Sequence, residues 1–399
     1  MTTEQRFFLR VLRDYLHGTA TEAPADLDRA ALLAAAELHK LEGVVYAQCR
    51  ALPEWNRRPD PITDRFSDAF GQTVLRSTNL ESEDRRIRAA LREAGISFLP
   101  VKGPEVAAFY PDPALRTMSD VDLLIHAADA EAARAVLERA GWSLTEAAAD
   151  EWIYLRGSLC YELHAVLLRP DEDDLPARVS WFNDFWRQAE DTDDGPRLNW
   201  NFHFLYLVAH VAKHIRGRGI GFRQFFDLAV LIHRGGSRLD WARIAAEAEA
   251  VGLQPFLRTC MALCERWFGI VPPISPAPLS ESLVEQVTEK TFRDGVFGFG
   301  SPENNLGLLE QGRKRSRLPL PLLKLKTSAG LLFPPYRQLI AAEKYSYLRG
   351  RPWLLPWAWV RRMAAAARNP RKTALVTTVL SATDEAVEAR RRRLEELGL

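Results

Sequence analysis

Two aspartates inside an apolar run limit this chain more than any other feature. The run is "SDVDLLI", residues 119–125, and it sets Asp120 and Asp122 two residues apart. A strand buried against a core favours Val, Ile and Leu, and two carboxylates on one of its faces repel each other unless a cation sits between them. Side chains alternate across a strand, so Asp120 and Asp122 share one face while Val121 and Leu123 turn to the core. The two Cα atoms are then about 6.6 Å apart, within reach of one divalent ion or of an adjacent pair.

The flanking residues give that strand a chemical setting. Upstream, "FLPVKGPEVAAFY" reads as strand, tight turn and helix. Gly103 permits close backbone approach, Pro104 suits a first helical turn, and the free N–H groups there form an anion site. Lys102 adds a positive charge to it, Arg116 is a second candidate for a phosphate tail, and Ser119 is grouped with them as nucleotide-binding. For both cations the alternative is surface solubility or an ion pair with these same acids. Downstream, "LCYELHAVLL" reads as another strand on which Glu162 and His164 share a face opposite Tyr161 and Leu163. If the two strands are neighbours, three carboxylates converge, and hard oxygen ligands of that kind suit Mg²⁺ or Mn²⁺, not zinc. His164 reads as a partner to the ligating carboxylates, with a core histidine bonded to a backbone carbonyl as the alternative.

Around this segment the pattern is helical. "EQRFFLRVLRDYL", "LDRAALLAAAELHKLEGVVYAQCRAL" and the run from Asp64 to Gly95 carry apolar residues at three- and four-residue spacing, with Asp26 as a cap for the second. The period changes at residue 96, which predicts an N-terminal helical region over 1–95, a small mixed α/β core over 96–170 and a helical region over 171–270 that closes the site. "RPDEDDLP" reads as a charged loop between the last two. Residues 271–399, broken by "VPPISPAP", "LPLPLL" and "LFPPY", read as a basic region of short helices and loops. No internal repeat of fixed period is visible.

Composition excludes several classes. A chain of 399 residues, 47% hydrophobic and 26% charged, is long enough for two or three domains with their own cores. No apolar run approaches the roughly 20 residues of a spanning helix. The first residues mix charge with apolar side chains and lack a signal-peptide pattern, so a cytoplasmic protein is expected. Four cysteines do not make a disulfide framework, and Cys260 with Cys264 read as buried thiols. Charge is uneven: residues 301–399 hold 19 Lys+Arg against 8 Asp+Glu, a basic region attached to an acidic body.

Several other residues admit two readings. His210 and His214 lie four apart on one helix face, but no third ligand accompanies them, so packing or nucleotide contact is expected in place of zinc. Asp227, four residues after Arg223, reads as an i,i+4 ion pair, with substrate or base contact as the alternative. Trp353, Trp357 and Trp359 read as packing residues, with a ligand cage as the alternative, and Arg390 to Arg393 as a solvated, dispensable helix end.

Taken together, "VKGPEVAAFYPDPALRTMSDVDLLI" and "YELHAVLL" resemble the uncharacterised nucleotidyltransferase family of the DNA polymerase β-like superfamily. "LFPPYRQLIAAEKYSYLRGRPWLLPWAWVRR" is similar to the family's C-terminal part. The resemblance implies an α+β fold, a polymerase-β-like core with a small mixed sheet embedded in a mostly helical chain. It implies Gly103 at a phosphate-binding turn, Asp120 and Asp122 as metal ligands and Glu162 as the third carboxylate. It further implies an NTP substrate, Mg²⁺ or Mn²⁺, and transfer of a nucleoside monophosphate to a hydroxyl or phosphate with release of pyrophosphate. A peptide or small molecule from bacterial specialised metabolism is the first expectation for the acceptor. A toxin-type enzyme acting on RNA and a silent nucleotide- or peptide-binding scaffold are the alternatives. In two respects the chain departs from the superfamily. Its turn is Lys-Gly-Pro where Gly-Ser or Gly-Gly is frequent, and its third acid is Glu where Asp is frequent.

Overall fold

The change of period at residue 96 marks the start of a five-stranded sheet. A computed structural model gives the fold. It describes the backbone at all positions except 56–59, 171, 172, 174, 194, 218, 297, 299–301, 316, 317, 341, 342, 368 and 369. Side chains are described at the same positions, less 302, 303, 311, 314, 315, 343, 344, 367 and 370–374. Part of the charged loop expected at "RPDEDDLP" therefore lies outside the described residues.

The strands are β1 (Phe98–Val101), β2 (Asp120–Ile125), β3 (Ser143–Ala147), β4 (Glu151–Arg156) and β5 (Leu159–His164), in the order β1-β2-β5-β4-β3. β2 and β5 are parallel and the other pairs antiparallel, so the sheet is mixed. The parallel register pairs Asp122 with Glu162 and Leu124 with His164. Among the described residues four α-helices precede the sheet: α1 (Thr3–His17), α2 (Arg29–His39), α3 (Glu42–Cys49) and α4 (Pro61–Glu93). Within and just after it come α5 (Gly103–Ala107), α6 (Ala130–Arg139) and α7 (Pro176–Asn183).

One face of the sheet is sealed by α4 and α6. Val121, Leu123, Tyr161 and Leu163 pack there with Leu80, Ile87 and Leu91 of α4 and Val136 and Leu137 of α6. Alternation leaves Asp120, Asp122, Glu162 and His164 on the opposite face. α4 runs for 33 residues, about 50 Å, and its buried stripe Thr73, Ser77, Leu80, Asp84, Ile87, Leu91 steps by four and three along one side. Its first half packs beside α3, where Thr73 meets Gly43, and its second half covers the sheet.

The open face looks toward α8 (Trp200–Arg216) and α9 (Phe222–Arg234), followed by α10 (Trp241–Ala250), α11 (Gln254–Phe268) and α12 (Glu281–Asp294). These helices share one apolar core with α1, α2 and α3, centred on Phe7, Phe8, Phe222, Phe226 and Trp267. The remaining helices are α13 (Gly307–Arg315), α14 (Leu320–Leu332), α15 (Tyr336–Leu339), α16 (Leu355–Ala367), α17 (Pro370–Ser381) and α18 (Asp384–Glu396).

Local expectations are corrected at four points. The cap of α2 is Asp28, which accepts from the amides of Ala30 and Ala31, not Asp26. The single helix expected from Leu27 to Leu52 is two, because Lys40 adopts φ 56° and ends α2 in the left-handed region. Arg390 is buried rather than solvated: the helix that carries it returns to the molecule, and Leu394 and Leu397 join the main core. Of the three tryptophans read as packing, Trp359 lies edge-on to Phe333 at 5.4 Å, but Trp353 and Trp357 are exposed.

Candidate active site

β1 delivers the chain into a tight turn at Lys102 (φ 58°, ψ −125°) and Gly103 (φ 22°). A lysine in that region is strained and needs external support. The support is His203 of α8, whose Nε2 accepts the Lys102 amide at 3.0 Å while its ring stacks on Trp200 at 4.9 Å. Accepting that proton requires a neutral imidazole, and burial, aided by the positive charge of Lys102, pushes His203 down to about 3. The Gly103 carbonyl accepts from Arg116 Nη1 at 3.1 Å. A Cβ at Gly103 would meet nothing nearer than the Asp120 carbonyl at 3.7 Å, so the glycine serves the positive φ more than the space. With the Lys102 amide committed, Pro104 lacking an N–H and α5 only five residues long, this turn offers fewer phosphate donors than the sequence suggests.

The lead-in to β2 is fixed from α4. Arg76 donates to the carbonyls of Met118 (2.9 Å), Ser119 (3.2 Å) and Ser158 (2.9 Å), tying the loop before the aspartates to the β4–β5 turn. Arg116, expected at a phosphate tail, is buried and makes a two-pronged ion pair with Asp227 of α9, Nε to Oδ1 at 2.8 Å and Nη2 to Oδ2 at 2.9 Å. Tyr110 donates to the same carboxylate at 2.7 Å. The i,i+4 pair expected between Arg223 and Asp227 is replaced by these contacts, because Arg223 Nη1 turns to the Thr117 carbonyl at 2.5 Å.

On the open face of β2 and β5 the acids gather around two cations. Asp122 is 2% exposed and accepts from Lys102 Nζ at 2.7 Å; His164 Nε2 lies 3.0 Å from the same oxygen and 3.4 Å from Glu162 Oε2. His164 Nδ1 lies 3.6 Å from Glu151 Oε1, whose other oxygen receives Arg169 Nη2 at 2.5 Å. Burial works against the charge on Asp122, yet Lys102 and His164 hold its carboxyl well below the usual range. Asp120 goes the other way, pushed up to about 6 by burial and by the charges of Asp122 and Glu162. Burial disfavours a charged His164, but its contacts to Asp122 and Glu162 outweigh that and raise it to about 9.

These residues fit a divalent cation. Asp122, Glu162 and His164 each bring one ligand atom within 4.8 Å of the others. Asp120 adds a third carboxylate whose raised proton affinity reports local negative charge that Lys102 and His164 do not neutralise. The oxygen-rich donor set suits Mg²⁺ or Mn²⁺, and His164, once the ion displaces its proton, adds a nitrogen that Mn²⁺ accepts more readily.

Opposite the acids, one face of α8 presents Tyr206, His210, Lys213 and His214, and the start of α9 presents Arg223. Together the walls enclose a cleft of ≈ 600 Å³. Its lining includes Lys102, Gly103, Arg116, Ser119, Asp120, Asp122, Glu162, His164, His214 and Asp227, each named in the sequence as a candidate for the site or its contacts. His210 and His214 face each other with Nε2 atoms 3.0 Å apart, and burial together with the nearby Lys102 drives His210 well below its usual range. Among the described residues no third metal ligand joins that pair.

Arg76, His203, Lys213 and the Glu151–Arg169 pair were missed in the sequence. For α8 a signal existed: polar residues at 203, 206, 210, 213 and 214 form a single stripe on a helix that is apolar elsewhere except at Asn201 and Arg216 near its ends. Arg76 had none, because its three acceptors are backbone carbonyls 42 to 82 positions away.

Neither a curated protein nor a solved structure matches the chain. The model of a family described as uncharacterised nucleotidyltransferase matches residues 25–269, from the segment before α2 to the end of α11, and so takes in the sheet and both walls of the cleft. With well over half its length matched, the chain belongs to that nucleotidyltransferase family and is an enzyme of that class.

Proposed function

We propose that the enzyme transfers a nucleoside monophosphate from an NTP to a hydroxyl or phosphate acceptor in a metal-dependent reaction that releases pyrophosphate. The observation that carries this reading is the facing of two walls across one cleft, acids on β2 and β5 against cationic side chains of α8 and α9. Asp122 and Glu162, with Asp120 and His164 beside them, would hold Mg²⁺ or Mn²⁺. A divalent ion there supplies Lewis-acid stabilisation of the charge that develops on the reacting phosphate. Lys213 and Arg223 bind the polyphosphate and orient it along the cleft. Lys102, on a flexible four-carbon stem, neutralises Asp122 in the nucleotide-free protein and swings to the phosphates when they arrive. The neutral His203 keeps the Lys102 turn in place while this happens. The acceptor oxygen, its proton released to solvent, forms the new bond to the α-phosphorus as the bond from that phosphorus to the α–β bridging oxygen breaks, and pyrophosphate leaves along the cationic wall.

A peptide or small-molecule acceptor fits best, because the cleft, at ≈ 600 Å³, is of small-ligand size. The test is a screen of acceptors with α-labelled NTPs and Mn²⁺ or Mg²⁺, with pyrophosphate measured in parallel. Label transfer that is lost with chelator and in Glu162→Gln is expected. NTP binding without any turnover across the screen favours a scaffold, and label appearing chiefly on RNA favours the toxin-type alternative.

A further inference from the structure

Residues 313–372 contain 15 Lys+Arg and one acid, Glu343. Within that span α14 and α16 pack against each other, and each buries one side in a small local cluster: Leu320 and Leu323 with Val379, and Ala358 with Leu339 and Leu348. Trp359 completes the second by donating from Nε1 to the Pro334 carbonyl at 2.9 Å. The opposite sides are apolar as well. On α14, Leu322, Leu325, Ala329 and then Phe333 recur at helical spacing and stand in solvent, Leu325 at 64% exposure. On α16 and the short turn before it, Trp353, Trp357, Val360 and Ala364 do the same, with Trp353 at 71% and Trp357 at 58%. Exposed cations border both stripes: Lys326, Arg337, Arg351 and Arg361.

We infer that the exposed stripes of α14 and α16 form a docking surface for an anionic lipid bilayer. Scattered exposed apolar residues need no explanation, but a stripe at helical spacing on each of two contacting helices does. A second copy of the chain is disfavoured by charge, since pairing would bring two strongly basic segments together. RNA would satisfy the charge and leave the aliphatic residues Leu322, Leu325 and Val360 with nothing to stack on. A membrane surface satisfies both halves: tryptophan and leucine enter the headgroup boundary while Lys and Arg reach the phosphates. Among the described residues no helix is long and apolar enough to cross a membrane, so the element lies on the surface.

The experiment is co-flotation of the full chain with phosphatidylcholine vesicles, with and without about 30% phosphatidylglycerol. The wild type floats with the anionic vesicles, and the double variant Trp353→Ala/Trp357→Ala binds them at least tenfold more weakly while keeping the wild-type unfolding midpoint, because both side chains are exposed. Raising salt from about 0.1 M to about 0.5 M also releases the protein. Absence of flotation with anionic vesicles at the lower salt overturns the inference, as does equal binding by wild type and double variant. Two further results also overturn it: a dimer of the wild type that the variant dissociates to monomer, which assigns the face to a second copy, and displacement from vesicles by RNA that binds wild type and variant alike.

Discussion

Asp120 and Asp122 share a strand face and differ in what surrounds them, and that difference separates their mutants. Asp122 neutralises Lys102 and His164, so Asp122→Asn leaves the half-buried Lys102 ammonium without its carboxylate and weakens the hold on His164, and lowers stability by roughly 3 kcal/mol. Asp120 has its carboxyl pushed up to about 6 by burial and like charge, so Asp120→Asn removes a repulsion and stabilises by on the order of 1 kcal/mol. Both variants lose transfer activity. Urea unfolding with an activity assay checks this, and equal stability changes of the same sign contradict it. A second consequence concerns acid. His203 and His39 are pushed from 6.5 down to about 3, chiefly by burial, and His39 Nδ1 must stay unprotonated to accept the Phe222 amide at 3.3 Å. Between pH 3 and 6.5 the unfolded chain binds these protons and the folded chain does not, so their stability is full above pH 6.5 and is lost as pH falls. At pH 5 the loss is roughly 2 kcal/mol for each histidine. Asp120 acts in the opposite sense, regaining stability as pH falls from about 6 towards 3.8, but His210, which burial also holds well below its usual range, adds to the loss. Urea midpoints at pH 7 and pH 5 therefore drop on acidification; a constant or rising midpoint contradicts the account.

Among the elements, β1, β2 and β5 were legible in the sequence because each is a short apolar run bounded by turn residues, and two of them carry polar side chains at period two. The β3–β4 hairpin was not. It sits at the sheet edge with a bulge between Leu144 and Glu146, and Tyr154 is its one buried side chain, so no alternation betrays it. The acids of the site were legible for the same reason as their strands, and Lys102 and His164 were read beside them, whereas the supports Arg76 and His203 depend on long-range pairing that local pattern does not encode. Arg116 shows the limit: an arginine just before a metal-binding strand reads as a phosphate ligand, yet its guanidinium fastens the β2 lead-in to α9 through Asp227. A double-mutant cycle distinguishes the two roles. Arg116→Ala and Asp227→Ala each destabilise by about 3–5 kcal/mol, while the double variant costs clearly less than their sum. Additive losses of stability, or an Arg116→Lys protein that keeps full stability and loses NTP affinity, return Arg116 to the phosphate.

Over the whole molecule, the cleft depends on parts of the chain that are remote in sequence. α8 supplies the cationic wall, and its last carbonyl, that of Arg216, accepts from Arg390 Nη2 at 2.5 Å. Arg390 also pairs with Glu310 at 3.4 Å, while Val387, Leu394 and Leu397 of the same C-terminal segment are buried. α18 therefore clamps the end of the helix that presents Lys213 and His214, and the basic terminus that read as dispensable is an integral support. Removing residues 385–399 exposes the surface those three side chains cover and leaves the α8 terminus without its cap, a loss on the order of 5 kcal/mol. The subtler variant Arg390→Ala keeps the apolar contacts and loosens only the clamp, so its NTP affinity falls while its unfolding midpoint moves less than that of the truncation. Calorimetric titration with NTP and thermal unfolding of both variants decide the point. If the truncated chain binds NTP and melts as the full chain does, α18 is an appendage and the cationic wall stands on α8 and α9 alone.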